Sequence, residues 1–566
     1  MSPTDPKPET STEEERKRRV RFLGRLRRRL LAGTAIVVGI ALIYGVENLR
    51  GWRAWSQERD RLQSAGRKVT LEELIPPPVP DDRNFAMIPM LRPLFDFDLT
   101  ASATNVWRDP EGGRRAHEVM SFDKVHGGSV SQQGGTADSS RARMTDLSAW
   151  QRYFRTPGKG SKAWSAAEFA QRYGVASSPP APAEVSAPVV PGYPLPAEPG
   201  APEADVLAAL AVFEPEFRAI HEGLMLPESR FPLRYEDGYR TLLPHLAVLS
   251  RLTLGFTLRA SARLAAGDAE GAFADTLDAF GLGESLASEP FQLSQWTRTT
   301  ALNRAMGMLW EGQVRHAWTE SHLAAFQSRL SAIETTSAMR LSFGMERTLA
   351  WQWVERVAGS FAERRRLVGL SGDLFGSFLD LQDDPSLVPA LLFAPRGWLY
   401  ANAAATAQAF AELESTPATE LPGLRERWRP LAGRNSVRLL FHRRYFSGEH
   451  GSKQAENLVR ALACDHRIRL AMTACALERY RLRHRDYPDA LEALVPDLLA
   501  ALPQDEVAGR PLRYQREANG TFRLWAVGDD GRDEGGLLSH RQEDSGRAVA
   551  VDWVWRWPES GSPTRP

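Results

Sequence analysis

The densest set of groups able to do chemistry lies near the C-terminus, in VGDDGRDEGG, Val527 to Gly536. Asp529, Asp530, Asp533 and Glu534 stand there among glycines. Calcium takes six to eight oxygen ligands, and glycines let a short loop fold round it. A solvated acidic turn held without metal is the competing reading. Elsewhere the common catalytic spacings are missing. The eleven histidines are scattered, none in HExxH, and there is no CxxC, GxSxG or Walker sequence. The glycine-rich patch HGGSVSQQGG at 126–135 has no phosphate-loop spacing, and Gly158-Lys159-Gly160-Ser161 lacks the first glycine and the residue order of one. Ser121 and Lys124 have SxxK spacing but no SDN or KTG partner, so chance explains them. The run from Phe441 to Lys453 gathers His442, Arg443, Arg444, Tyr445, Ser447, Glu449 and His450. It could line an anion site, but it reads more simply as a polar loop between helices. The sixteen tryptophans are spread along the chain, which fits core and interface positions better than a glycan platform.

The elements that would position such groups belong to a chain of 566 residues, long enough for several domains. Its apolar fraction of 43% allows real cores, and a net charge of +1 argues against nucleic acid as a partner. The charge is unevenly placed: nine Lys or Arg residues fall between Arg16 and Arg29, and the tail beyond Arg485 is acidic. The only cysteines are Cys464 and Cys475. On one straight helix they would stand about 16 Å apart, beyond the roughly 7 Å that a disulfide spans. They read as two small core residues.

Leu30 to Val46, LLAGTAIVVGIALIYGV, carries no charge, and Leu26 and Leu49 can extend it. This predicts a single transmembrane helix over 30–49. The basic arm 1–29 should stay cytoplasmic by the positive-inside rule, and Trp52 and Trp55 would then lie at the far interface. A cleaved signal peptide is the alternative, but no small-x-small site follows the apolar run. The pairs Ala35/Gly39 and Ala41/Gly45 could let two such helices associate. The stretch LVPALLFAPRGWLYANAAATAQAF is a poor second span, because Arg396 and several breakers interrupt it. The rest of the chain is expected beyond the membrane, which for a bacterial inner membrane means the periplasm.

Residues 50–97 read as a charged juxtamembrane helix and a proline-rich spacer. Pro76–Pro78 and Pro80 favour an extended path, and Phe85, Met87, Ile88 and Leu91 form a strip able to dock onto a core. Residues 98–174 are polar and loop-rich, with short helices at LSAWQRYF and AAEFAQRY. Residues 175–204, rich in Pro and Ala, read as a semi-rigid linker. From 205 to 453 the apolar spacing is helical. Gly267 can close one helix and Asp268 cap the next, as in a tetratricopeptide-like hairpin. No 34-residue period supports a regular array. ERRR, Glu363 to Arg366, interrupts the pattern. A last long helix is expected from about Gln454 to His484, with Ala461, Cys464, Ile468, Ala471 and Cys475 on one face.

Residues 454–557 read as a small α+β module, and 558–566 as a disordered tail. ALEALVPDLLAAL reads as a short helix, and PLRYQ and TFRLWAV as strands joined at Asn519-Gly520. VAVDWVWRW reads as a third strand with Val551, Trp553, Trp555 and Trp557 on one face. The fold class is therefore mainly α: a transmembrane helix, an irregular helical bundle or solenoid, and a long helix on a three-stranded antiparallel sheet.

The order Tyr487-Pro488, Leu502-Pro503-x-Asp505, Gly509, Tyr514, Gly528-x-Asp530-Gly531, Gly535-Gly536 and Asp552-Trp553 resembles the C-terminal domain of type II secretion major pseudopilins, over about 455–557. Ala526 stands where that family has a loop serine, and Glu506-Val507-Ala508 replace its Pro-Trp pair. The prepilin signature is missing from the N-terminus, so the chain is not expected to be a processed pilus subunit. The resemblance implies calcium bound through Asp530, Asp552 and the carbonyl of Val527. Two function classes follow. One is an anchored periplasmic scaffold or protein-binding protein. The other is an envelope enzyme whose site assembles from distant residues of the helical domain. The lack of any catalytic motif favours the first.

Overall fold

The computed structural model describes residues 10–99, 105–120, 136–139, 142–155, 193, 195–196, 198–369, 392–420, 445–536, 541–542, 548–549 and 552–558. Ser121 and Lys124, the glycine patch 126–135, Gly158–Ser161, AAEFAQRY, most of the 175–204 linker, His442 to Arg444 and the tail from 559 lie outside them.

Helix α1, Thr10–Ser64, runs without a break through the apolar segment and the charged stretch after it. No Pro or helix-ending glycine cap interrupts it before Gly66, whose φ of 71° closes it. The sequence divides 30–49 from 50–65 by charge, but the backbone has no reason to break there. Arg16–Ser64 is, among the described residues, the one stretch of helix long and apolar enough to cross a membrane.

The helices that follow are α2 (Leu71–Leu74), α3 (Pro110–Glu118), α4 (Leu147–Arg155), α5 (Pro202–Leu210), α6 (Glu214–Leu224), α7 (Pro244–Ala265), α8 (Ala269–Glu284), α9 (Gln292–Val314) and α10 (Glu320–Ser331). After them come α11 (Thr336–Gly359), α12 (Phe361–Gly369), α13 (Arg396–Ser415) and α14 (Tyr445–His484). The expected α7–α8 hairpin forms. Gly267 adopts φ 82°, and the Asp268 carboxylate accepts from the Gly271 N–H at 2.9 Å. ERRR does not interrupt a helix; it lies inside α12. The docking strip also forms: Phe85, Ile88 and Leu91 are buried. Asn84 fixes its entry, accepting from the N–H of Ala86 and of Arg230 and donating to the Arg230 carbonyl.

Helix α14 is the axis of the molecule. It packs against α9, α10, α11 and α13, and on another side against the sheet. That sheet is three-stranded and antiparallel, in the order β1 (Arg513–Arg516), β2 (Phe522–Ala526), β3 (Trp553–Arg556). Gly520, at φ 79°, turns the β1–β2 hairpin. Phe522, Leu524 and Ala526 face inward, and β3 is buried on both faces through Trp553, Val554 and Trp555. One buried cluster runs from the docking strip through α7–α11 and α14 to the sheet. The Trp310 indole of α9 donates to the Arg556 carbonyl at 2.8 Å, and the Trp555 indole donates to Gln313 at 3.1 Å. The predicted helix over 490–502 reduces to a single 3-10 turn, Leu491–Leu494, since Pro496 cannot continue the hydrogen-bond ladder. Cys464 and Cys475 are both buried in α14 and unpaired.

A second, smaller core joins α1 to α11 and α13. Trp55 is buried there against Trp351 and Tyr400, with ring centroids 6.2 and 5.6 Å away. Of the two tryptophans expected at the membrane interface, only Trp52 is exposed. The helices approach so closely that Gly51 and Gly397 meet backbone to backbone, and a Cβ on either would overlap the other chain segment.

Candidate functional site

The acidic loop hangs from β2 and is held by the residues around it. Asp505 is its buried root. Its carboxylate accepts from the N–H of Val507, Ala508 and Val527 at 3.1, 3.0 and 2.9 Å, and pairs with Arg513 at 3.0 Å. Burial opposes its charge, but His466 and the backbone N–H groups outweigh burial and bring the carboxyl down to about 2. Arg513 reaches onward from Asp505 to Asp533, at 2.5 Å. Asp533 also accepts from the Trp525 indole at 3.0 Å and from the Gly535 N–H at 3.1 Å.

The three residues implicated in calcium binding have separate tasks. Val527 is buried and donates its N–H to Asp505. Asp530 accepts from the Arg532 N–H at 2.9 Å, closing a local turn. Asp552, 6% exposed, accepts from the N–H of Gly536 and Glu534 with one oxygen, at 2.7 and 3.0 Å. Its other oxygen has no hydrogen-bond partner among the described residues. Burial, with Glu534 and Asp533 nearby, pushes the Asp552 carboxyl up to about 6. Among the described residues no group of three or more His, Cys, Asp or Glu side chains is placed to hold a metal ion. A calcium ion also takes backbone carbonyls, and besides Oδ1 of Asp552 the Oε2 of Glu534 is buried without a hydrogen-bond partner among the described residues. The Arg513 guanidinium supplies the internal cation that joins the loop to its root.

Histidine–carboxylate pairs also escape sequence reading, those of His221 and His245 among them. His221 sets Nδ1 2.9 Å from buried Asp278 and is half exposed. That is how a base is oriented, yet Asp278 is its sole hydrogen-bond partner among the described residues. His245 lies 2.8 Å from Glu289, fully enclosed and stacked on Phe231. Neither pair has a neighbouring sequence signal, because the partners lie 57 and 44 residues apart and meet only through helix packing.

In comparisons with known proteins, no protein-family model matches the chain, and neither a curated protein nor a solved structure matches it.

Proposed function

We propose that this protein is a single-pass scaffold or protein-binding protein of a bacterial inner membrane, with its N-terminus cytoplasmic and the bulk of the chain periplasmic. One observation carries the reading: the most apolar stretch of α1 is left unburied and touches the rest of the chain only near its outer end, at Tyr44 to Asn48, while the same helix from Gly51 onward is packed into a core. An apolar helix uncovered by its own chain needs another apolar surround, and a bilayer supplies it. Arg27–Arg29 and Arg50 bracket the segment at both ends. The scaffold reading draws support from α9, where Leu293 and Trp296 lie three residues apart on one face and are both half exposed. The C-terminal sheet on α14, with its acidic loop, is proposed to be pseudopilin-like.

Membrane extraction tests the anchor. The full chain should resist alkaline carbonate and dissolve in detergent, while a chain lacking residues 1–49 should be released. Appearance of the full chain in the carbonate supernatant would end the anchor reading. For the scaffold reading, cross-linked protein purified in detergent should yield a stoichiometric partner lost on Leu293→Asp with Trp296→Asp. A partner yield untouched by both substitutions would remove that face from consideration.

A further inference from the structure

Beyond α1, one corner of the folded domain carries exposed aromatic side chains where the domain meets the apolar segment. Phe361, at the start of α12, is 57% exposed, and Phe393, just before α13, is 65% exposed. Their rings lie 6.4 Å apart, so they form one knob. The Tyr44 hydroxyl donates to the carbonyl of Phe393. The Asn48 side chain accepts from the Gly397 N–H at 2.9 Å. Tyr44 belongs to the apolar run, two residues before Val46 and five before Leu49, which is about 3–8 Å inside its outer end along the helix axis. The backbone at Phe393 is thus held at a depth inside the segment and not above it.

We propose that the Phe361–Phe393 corner is a second membrane contact, a wedge seated at the headgroup–acyl boundary of the outer leaflet. This rests on the transmembrane reading of 30–49. The depth set by Tyr44 matches the roughly 5–10 Å to which interfacial elements sink their apolar faces. The wedge is rigid. The buried Arg364 side chain donates to the carbonyls of Val357, Ala394 and Leu392, at 3.1, 2.7 and 3.3 Å. It therefore ties the end of α11 to the turn that carries Phe393. Trp52, exposed one turn beyond Leu49 and about 12 Å along the helix axis from Tyr44, adds a third aromatic higher on α1, on the aqueous side of the same interface. Two bare phenylalanines beside an unburied apolar helix are what a lipid surface covers, and seating them there removes both from water at once.

The test uses the full chain in phosphatidylethanolamine–phosphatidylglycerol vesicles, carrying an environment-sensitive dye on one introduced cysteine. Cys464 and Cys475 are buried and leave the background low. Dye at Ile36→Cys reports the span, dye at Phe361→Cys and Phe393→Cys the wedge, and dye at Met225→Cys an exposed site elsewhere. Doxyl-labelled lipids should quench positions 36, 361 and 393, with blue-shifted emission, and leave 225 unaffected. Quenching at 36 alone overturns the wedge and keeps the anchor. Blue-shifted emission at 361 and 393 without lipid quenching assigns the knob to a protein contact and also overturns the wedge. No quenching at 36 overturns the anchor and the wedge with it.

Discussion

Asp505 draws together more of the C-terminal region than any acid of the glycine loop, since three backbone N–H groups and Arg513 converge on it. Asp505→Ala would leave Arg513 without its buried partner and should cost about 3–5 kcal/mol, measured by denaturant unfolding. Its low pKa adds a pH signature. A carboxyl depressed in the fold contributes stability present above its unfolded value, near 3.9, and lost as pH falls toward about 2. Asp552 works in the other direction. Its folded value is raised to about 6, so the native state holds the proton longer, and stability drops as pH rises from about 4 to about 6. Asp552→Asn keeps an acceptor for Gly536 and cannot titrate. Its melting temperature should therefore fall less than the parent's between about pH 4 and about pH 7; equal falls would remove Asp552 as the cause. Millimolar calcium tests the loop directly: a set built on Val527, Asp530 and Asp552 predicts a rise in melting temperature, and an unchanged melt removes the metal role.

Among the elements, the junction of α1 with α11 and α13 makes the sharpest demands. Gly51 and Gly397 leave no room for a side chain because backbone fills the space, so Gly397→Val should destabilise by about 1–3 kcal/mol or more. At the opposite end of α13 Arg347, 1% exposed, pairs with Glu414 and donates to the Lys68 carbonyl at 2.7 Å. Arg67 reaches the second oxygen of Glu414 at 2.9 Å. Glu414→Ala strands a buried guanidinium, and a loss of about 3–5 kcal/mol is expected; limited proteolysis should then cut near Arg67 sooner. This junction was not legible in the sequence, since Trp55 meets Trp351 and Tyr400, some three hundred residues away. What could be read was local. The Gly267-Asp268 corner, the Asn519-Gly520 turn and the apolar run 30–46 each signal their structure within a few neighbours. The helix that composition favours over 490–502 is cut short by Pro496, and the role of Arg513 is hidden in the sequence because its partners Asp505 and Asp533 come together only when β1 and β2 pair.

At the scale of the molecule, the same buried cluster includes the α7–α10 helices, α14 and the sheet. A reading by sequence sets 205–453 apart from 454–557, but α14 packs on both sides of that line. Helices α7–α11, α14 and the sheet should therefore unfold in one calorimetric transition. Residues 454–557 expressed alone should lack a cooperative melt, because the helix would expose the face that α9, α10, α11 and α13 cover. A sheet that melts apart from those helices, or a sharply melting fragment, would count against the shared core.

The unbroken run of α1 from the apolar segment into the domain leaves no swivel at Glu47 to Trp55. Most anchored domains sample many headings on a flexible tether. With α1 in a bilayer as proposed, the domain would share the tilt and rotation of its own anchor, and each copy would present the same side to neighbours in the plane. Encounter would then be a two-dimensional search with orientation already restricted, and a glycine-rich hinge inserted after Val46, ahead of the Gly51–Gly397 contact, should slow association with a membrane partner.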